Sequence, residues 1–234
     1  MPQTGDHGGA PPGLILELQE SVPPARLGSW LVRNRAAPEV RQVWRGEPAE
    51  DGPLADRPYL AVLGSASSVY DDSPGWIEEV RAVVEAAVAD DVPTLGICFG
   101  AQMLSTALGG SVSKMPSPEV EWREVETRGD LVPTGPWIVW HYDSFTVPPG
   151  GEKLAWTSVA PLGFRAGRHL GVQFHPEATP TFAARWVEEQ RAQLSAGGVD
   201  PDELAKAVTR VGSARARAAA ESLFSAWWRG CVAD

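Results

Sequence analysis

The stretch at residues 59–63 (YLAVL) constrains the fold more than any other part of this sequence. It is apolar at every position and ends at Gly64. A strand of this kind needs apolar cover on both faces, which is typical of a parallel sheet with helices on either side. Two further runs, at residues 14–18 (LILEL) and 94–97 (TLGI), are also short and mainly apolar. The sequence therefore predicts an α/β fold.

Helical periodicity follows several of these strands, as in the apolar stripe of residues 76–89. We predict helices at residues 24–34, 76–89, 101–108, 179–194, 201–211 and 213–228. We predict strands at residues 14–18, 40–44, 59–63, 94–97, 120–127, 137–140, 154–159, 164–165 and 170–174. This order predicts one domain at residues 14–234, with a mostly parallel central sheet flanked by helices and a small β-rich insert. Ligands of such sheets bind at the carboxyl ends of the strands.

Composition excludes several classes of partner. The 234 residues carry 20 basic and 30 acidic side chains, a net charge of −10, which argues against nucleic acid and anionic membrane surfaces. No run of 18 apolar residues is present, so no membrane span is expected. Residues 1–13 are rich in Gly and Pro and lack the features of a secretion signal, which predicts a flexible tail. With only two cysteines, a reducing, cytoplasmic location is expected.

Cys98 lies in the segment GICFG, between an apolar strand and a helix. This is the strand–turn–helix pattern of a nucleophile elbow, with a thiol where hydrolases place serine. The helix N-terminus brings partial positive charge and free N–H groups to the sulfur, which favours a reactive thiolate. The alternative is an inert cysteine buried in a glycine-bounded turn. Neither the cysteines nor the four histidines cluster, so no metal site is predicted.

A second candidate segment is QFHPE, which contains His175 and Glu177. Pro176 between them stiffens the segment. A carboxylate that orients an imidazole, which in turn activates a thiol, follows the general logic of a catalytic triad. A His-Pro-Glu sequence alone is usually an ordinary loop. Downstream of a cysteine elbow, it predicts a Cys98–His175–Glu177 triad.

The combination of GICFGAQ and VQFHPE resembles the class I glutamine amidotransferases of the Cys-His-Glu type. Three more segments, LGSASSVYDDSPGW, LSTALGGSV and WHYDSFTVPPG, resemble the amidotransferase subgroup of GMP synthase. The resemblance implies a flavodoxin-like domain that needs no cofactor and acts on glutamine or a γ-glutamyl compound.

The resemblance also implies a role for each matching residue. Cys98 would be the nucleophile, His175 the general base and acid, and Glu177 the orienting carboxylate. The backbone N–H groups of Gly64 and Phe99 would form the oxyanion hole. The substrate pocket would include Ser65, Gln102, His141, Tyr142 and Asp143, with Asp143 opposite the α-ammonium of glutamine.

The acyl donor and the fate of the ammonia stay open at this stage. The chain has Tyr142 where the subgroup usually has Gly. It also has Glu121 before Trp122 where the subgroup often has Gly before Trp. Both differences affect the shape of the pocket and hence the identity of the acyl donor. No Gly-rich pyrophosphate loop of a synthase is found. Three hypotheses follow: a glutaminase that supplies ammonia to a separate synthase, a free-standing hydrolase or transferase of γ-glutamyl compounds, or a non-catalytic binding relative.

Two other features have simpler explanations. Trp227 and Trp228 near the C-terminus are predicted to pack on the core rather than to dock a partner. Asp71 and Asp72 are predicted to lie in a solvated turn rather than to bind a metal, because no third acidic ligand is near in sequence.

Overall fold

A computed structural model describes residues 11–232 of the chain. Most of the predicted tail, residues 1–10, lies outside the described residues. The carbonyl oxygens of Pro12 and Gly13 accept hydrogen bonds from Arg57 Nη1 at 3.1 Å and from the Glu39 N–H at 2.8 Å. The end of the predicted tail is therefore attached to the fold, and the division of the chain at residue 14 stays a prediction.

Ten strands and seven α-helices make up the described part of the chain. The strands are β1 (Leu14–Glu17), β2 (Glu39–Gln42), β3 (Leu60–Val62), β4 (Thr94–Ile97), β5 (Val112–Arg123), β6 (Glu126–Thr127), β7 (Trp137–Phe145), β8 (Glu152–Trp156), β9 (Pro161–Ala166) and β10 (His169–Val172). The helices are α1 (Ala25–Arg33), α2 (Trp76–Ala89), α3 (Phe99–Ala107), α4 (Pro180–Glu189), α5 (Arg191–Ala196), α6 (Pro201–Val208) and α7 (Ala214–Trp227).

The central sheet has eight strands in the order β2-β1-β3-β4-β10-β9-β8-β6. The first five run parallel, and β9, β8 and β6 extend one edge in antiparallel fashion. All residues of β1, β3, β4 and β10 are buried, as expected for parallel strands covered on both faces. The predicted α/β architecture with a mostly parallel sheet is confirmed.

Alternating side chains of these strands supply two separate cores. Ile15, Ala61 and Leu95 pack in a cluster with residues of α1 and α7. Leu16 and Val62, which point the other way, pack with residues of α2 and α3. The sheet is therefore the middle layer of three, because a strand presents successive side chains to opposite faces.

The β-rich insert is larger than predicted and forms its own sheet, the antiparallel pair of β5 and β7. A third apolar cluster, which includes Val120, Ile138, Trp186 and Val187, joins this pair to α4 and α6. A single bridge between Val139 and Phe174 connects the pair to the segment after β10. The pair is thereby held at the carboxyl end of the central sheet.

Several predicted boundaries were wrong. β7 continues to Phe145 instead of ending at residue 140, because its far end pairs with β5. The predicted helix 179–194 breaks at Gln190, whose φ and ψ of −109° and 13° are not helical. α3 begins at Phe99, two residues earlier than predicted.

The turn between β9 and β10 and the packing of Trp227 are two further features of the fold. Gly167 and Arg168 form the turn between β9 and β10, and Gly167 has a φ of 59°. Trp227 is fully buried against Tyr59 at 5.5 Å between ring centroids, so packing explains it. Among residues 11–232, no helix is long and apolar enough to cross a membrane.

Candidate active site

Cys98 lies at the sharp turn between β4 and α3. Its φ of 54° and ψ of −109° are unusual for a residue with a side chain, and such backbone strain clusters at functional sites. The turn needs glycine on both sides, because a Cβ on Gly96 would lie 2.5 Å from the Gly100 carbonyl oxygen and one on Gly100 would lie 2.0 Å from that of Val62. The GICFG segment thus holds the thiol at the carboxyl end of the sheet.

Two backbone segments adjoin Cys98, the start of α3 and the residue that follows β3. Phe99 is the first residue of α3, so its N–H has no acceptor within the helix. Gly64 follows β3, and a Cβ at this position would lie 3.0 Å from His175 Cε1 and 3.4 Å from Cys98 Cβ. The two residues predicted to form the oxyanion hole therefore border the same space as the sulfur.

His175 and Glu177 follow β10, the strand next to β4. His175 Nδ1 lies 2.7 Å from Glu177 Oε1, and the two residues are only 6% and 1% exposed. Burial disfavours charge on the ring, but the interactions with Glu177 and with Cys98 outweigh this effect and raise the pKa of His175. The structure thus brings together the three residues of the predicted triad.

A cavity of about 330 Å³ opens beside Cys98 and His175. Its volume falls in the range of small-molecule sites. All five residues predicted for the substrate pocket line it: Ser65, Gln102, His141, Tyr142 and Asp143. Glu177 lies behind His175 and does not reach the cavity, as expected for a residue that acts through the imidazole.

Asp143 is the centre of a hydrogen-bond network in the cavity wall. Its carboxylate accepts bonds from Ser68 Oγ at 2.5 Å and from the Tyr70 hydroxyl at 2.7 Å. Its backbone carbonyl accepts one from Gln102 Nε2 at 3.2 Å and lies 2.8 Å from His141 Nδ1. Gln102 and His141 therefore fix the backbone of Asp143 while the loop after β3 holds its carboxylate.

Tyr142 and His141 differ in what they offer to a ligand. The Tyr142 hydroxyl is buried and has no hydrogen-bond partner among residues 11–232. The His141 ring is enclosed between its own strand and Glu119, whose Oε2 lies 3.3 Å from His141 Nε2. Tyr142 thus lines the cavity without a hydrogen bond from its hydroxyl to the described residues, whereas His141 Nδ1 contacts the Asp143 carbonyl.

Several residues of the cavity were not predicted from the sequence. Ser68 and Tyr70 lie in a segment that carried part of the family resemblance, but no role was assigned to them. Trp186, whose ring centroid lies 4.8 Å from that of His175, is on a helix with no local sign of a site. Gln190, the residue after the end of α4, also lines the cavity. Within the described range, no group of three His, Cys, Asp or Glu residues is placed to hold a metal ion.

Comparison with known proteins agrees with this geometry. The family model described as "Glutamine amidotransferase class-I" matches residues 55–191, which is more than half of the chain. The chain belongs to this family. The match includes both Cys98 and the His175–Glu177 segment, as the motif resemblance predicted.

Curated relatives place the chain among proteins similar to GMP synthase. It is 33% identical over 176 residues to a glutamine-hydrolysing GMP synthase of Thiobacillus denitrificans, covering 66% of this chain and 33% of the relative. It is 38% identical over 138 residues to that of Aeropyrum pernix, covering 54% and 27%. The chain thus spans about a third of the length of the curated relatives it matches.

Solved structures match over nearly the whole chain. A glutamine amidotransferase from Methylobacillus flagellatus superposes with a TM-score of 0.82 at 25% identity, covering 95% of this chain and 96% of that one. One from Thermotoga maritima gives 0.82 at 22% identity, covering 97% and 100%. These comparisons support the α/β fold of the class I amidotransferases.

Proposed function

We propose that this amidotransferase hydrolyses the side-chain amide of glutamine through a γ-glutamyl thioester on Cys98. The observation that carries the proposal is the convergence of Cys98, His175 and Glu177 at the N-terminus of α3, beside a cavity. A thiol, an imidazole and an orienting carboxylate in contact are the components of nucleophilic acyl transfer.

In the first half of the reaction, the Cys98 thiolate attacks the amide carbon of glutamine. The oxyanion of the tetrahedral intermediate accepts hydrogen bonds from the backbone N–H groups of Gly64 and Phe99. Loss of one such donor typically costs about 3–4 kcal/mol. His175, held as an imidazolium by its two neighbours, protonates the departing nitrogen, and ammonia leaves as the thioester forms.

In the second half, water occupies the place of the ammonia. Neutral His175 removes a proton from this water, and the resulting hydroxide attacks the thioester carbonyl. Collapse of the second tetrahedral intermediate breaks the C–S bond, releases glutamate and restores the Cys98 thiolate. Glu177 stabilises the imidazolium in both halves through its 2.7 Å contact with Nδ1.

The ammonia would go to a separate synthase. The curated relatives are named glutamine-hydrolysing GMP synthases, and this chain aligns with about a third of each. In the relatives, the aligned part is one portion of a longer protein. We infer that the present chain supplies ammonia to a partner that carries out the synthetic step.

Ammonia release from L-glutamine by the purified protein tests the central proposal. Wild type is expected to release ammonia and to form a covalent Cys98 adduct with an electrophilic glutamine analogue, detectable by mass spectrometry. Cys98→Ala and Cys98→Ser should lose both. If wild type alone releases no ammonia, addition of a co-purifying synthase should restore the activity. Full activity of Cys98→Ala would exclude the mechanism.

A second candidate is hydrolysis or transfer of another γ-glutamyl compound. The cavity that His175 lines is also lined by Trp186, Gln190 and Gln193. Since His175 protonates the leaving group, an amine larger than ammonia would lie in this cavity of about 330 Å³, beside these three residues. Turnover of γ-glutamyl peptides without turnover of glutamine would favour this candidate. Binding of either compound without turnover under any condition, including with a co-purifying synthase, would favour a non-catalytic relative.

A further inference from the structure

Lys114 differs from the other two lysines of the chain in its surroundings. Lys153 Nζ lies 4.6 Å from the ring centroid of Trp156, and Lys206 Nζ lies 2.6 Å from Glu203 Oε1. Lys114 lines the cavity beside the triad, yet it makes no hydrogen bond or ion pair within residues 11–232. It is an exposed cation at the cavity, without a protein partner in the described structure.

The register of β5 and β7 places Lys114 opposite Asp143. The two residues are direct cross-strand partners. Side chains of such partners lie on the same face of a sheet. Ser113 and Ser144, on the alternate face, line a different cavity. Lys114 and Asp143 therefore both project toward the cavity that contains Cys98.

Lys114 and Asp143 form no ion pair with each other in the described structure. Asp143 receives hydrogen bonds from the hydroxyls of Ser68 and Tyr70. The cavity therefore presents a buried carboxylate and an exposed ammonium next to each other. A free α-amino acid carries the complementary pair, an α-ammonium and an α-carboxylate.

The geometry points to Lys114 as a specificity-determining residue that binds the α-carboxylate of the acyl donor, while Asp143 faces its α-ammonium. This inference rests on the proposed function and narrows its substrate class. The donor has a free amino-acid end, as in glutamine or a small γ-glutamyl compound. Glutamine residues within a polypeptide, which lack both α charges, are excluded as donors.

Kinetics with paired substrates test the inference. Wild type is compared with Lys114→Met on L-glutamine and on L-glutamine α-amide, which lacks the negative charge. Charged hydrogen bonds of this kind change affinity by roughly tenfold or more. We expect Lys114→Met to raise KM for glutamine by about tenfold, with little change in kcat and none in the KM for the α-amide. Lys114→Arg should retain the preference for glutamine, and Lys153→Met serves as the matched control.

Protection of Cys98 provides a readout that does not need turnover. Alkylation of Cys98 by iodoacetamide is followed by mass spectrometry with increasing glutamine or α-amide. The inference is supported if glutamine protects Cys98 less well in Lys114→Met than in wild type, while protection by the α-amide is unchanged. If Lys114→Met loses protection by glutamine and by the α-amide equally, or loses none, the role of Lys114 is overturned. The proposed function would still stand. Absence of turnover and of protection in wild type, also with a co-purifying synthase present, would overturn the proposed function and this inference together.

Discussion

Glu177 Oε1 lies 2.7 Å from His175 Nδ1, and only Pro176 separates the two residues in the chain. The backbone also holds the pair, because the His175 N–H donates to the carbonyl of Ile138 at 3.0 Å and the Glu177 carbonyl accepts from the Arg26 N–H at 3.1 Å. The proline between the two residues and the hydrogen bonds to distant parts of the chain therefore both hold this contact in place. It leaves the other side of the imidazole for Cys98.

Replacement of Glu177 by Gln should lower the pKa of His175. The carboxylate is one of the two groups that raise this pKa against the opposing effect of burial. Titration of the ring by NMR checks the shift. Glu188→Gln, which alters a surface ion pair with Arg191, should leave the His175 titration in place.

The same substitution should change how stability depends on pH. Above the ordinary histidine pKa of 6.5, folded wild type keeps a proton on His175 that the unfolded chain releases. The free energy of unfolding contributed by this proton is fully present below pH 6.5 and declines as pH rises through the folded-state pKa. In Glu177→Gln, the free energy of unfolding measured with urea should decline less steeply with pH than in wild type. An unchanged dependence on pH would contradict the role of Glu177 in raising the pKa of His175.

Addition of a methyl group at Gly64 should slow the reaction without unfolding the protein. A Cβ there would lie 3.0 Å from His175 Cε1, so the ring must move by a few tenths of an ångström. We expect Gly64→Ala to lower kcat by about tenfold or more, because small misplacements of reacting groups are costly. Gly75→Ala, where no atom lies within 4 Å of the new Cβ, is the control for both activity and thermal stability.

Neutralisation of Asp143 should weaken the binding of glutamine. If the carboxylate faces the α-ammonium, Asp143→Asn removes a charged interaction and should raise KM by about tenfold or more. The hydrogen bonds from Ser68 and Tyr70 involve hydroxyls, which can also bond to an amide, so the fold should persist. Steady-state kinetics with the exposed Asp130→Asn as control measures the effect. An unchanged KM would exclude an interaction between Asp143 and the α-ammonium of the substrate.

Truncation of Trp227 should destabilise the protein strongly. The side chain is fully buried and packs on Tyr59. Trp227→Ala is expected to lower the free energy of unfolding by about 3–5 kcal/mol. Trp227→Phe should cost less, because it also removes an indole N–H that has no hydrogen-bond partner in the described structure. Chemical denaturation checks both, with the partly exposed Trp156→Ala as comparison.

Sequence patterns were most informative where local structure and chemistry coincide. Cys98 was identifiable because the glycines that permit its turn are its neighbours in sequence. His175 and Glu177 were identifiable because both follow the end of a buried strand and are separated by a proline. Boundaries such as the break at Gln190 were missed, because the apolar periodicity continues across it into α5.

By itself, the sequence determined the alternation of strands and helices, the burial of the central strands and the types of residue at their carboxyl ends. These follow from hydrophobic periodicity and from glycine and proline, which act over a few residues. Only the tertiary structure decided that Ser68 and Tyr70 hold Asp143, that Trp186 packs on His175 and that Lys114 pairs in register with Asp143. Those contacts join residues far apart in the chain, and the pairing of strands and the packing of helices select them, which no local pattern encodes.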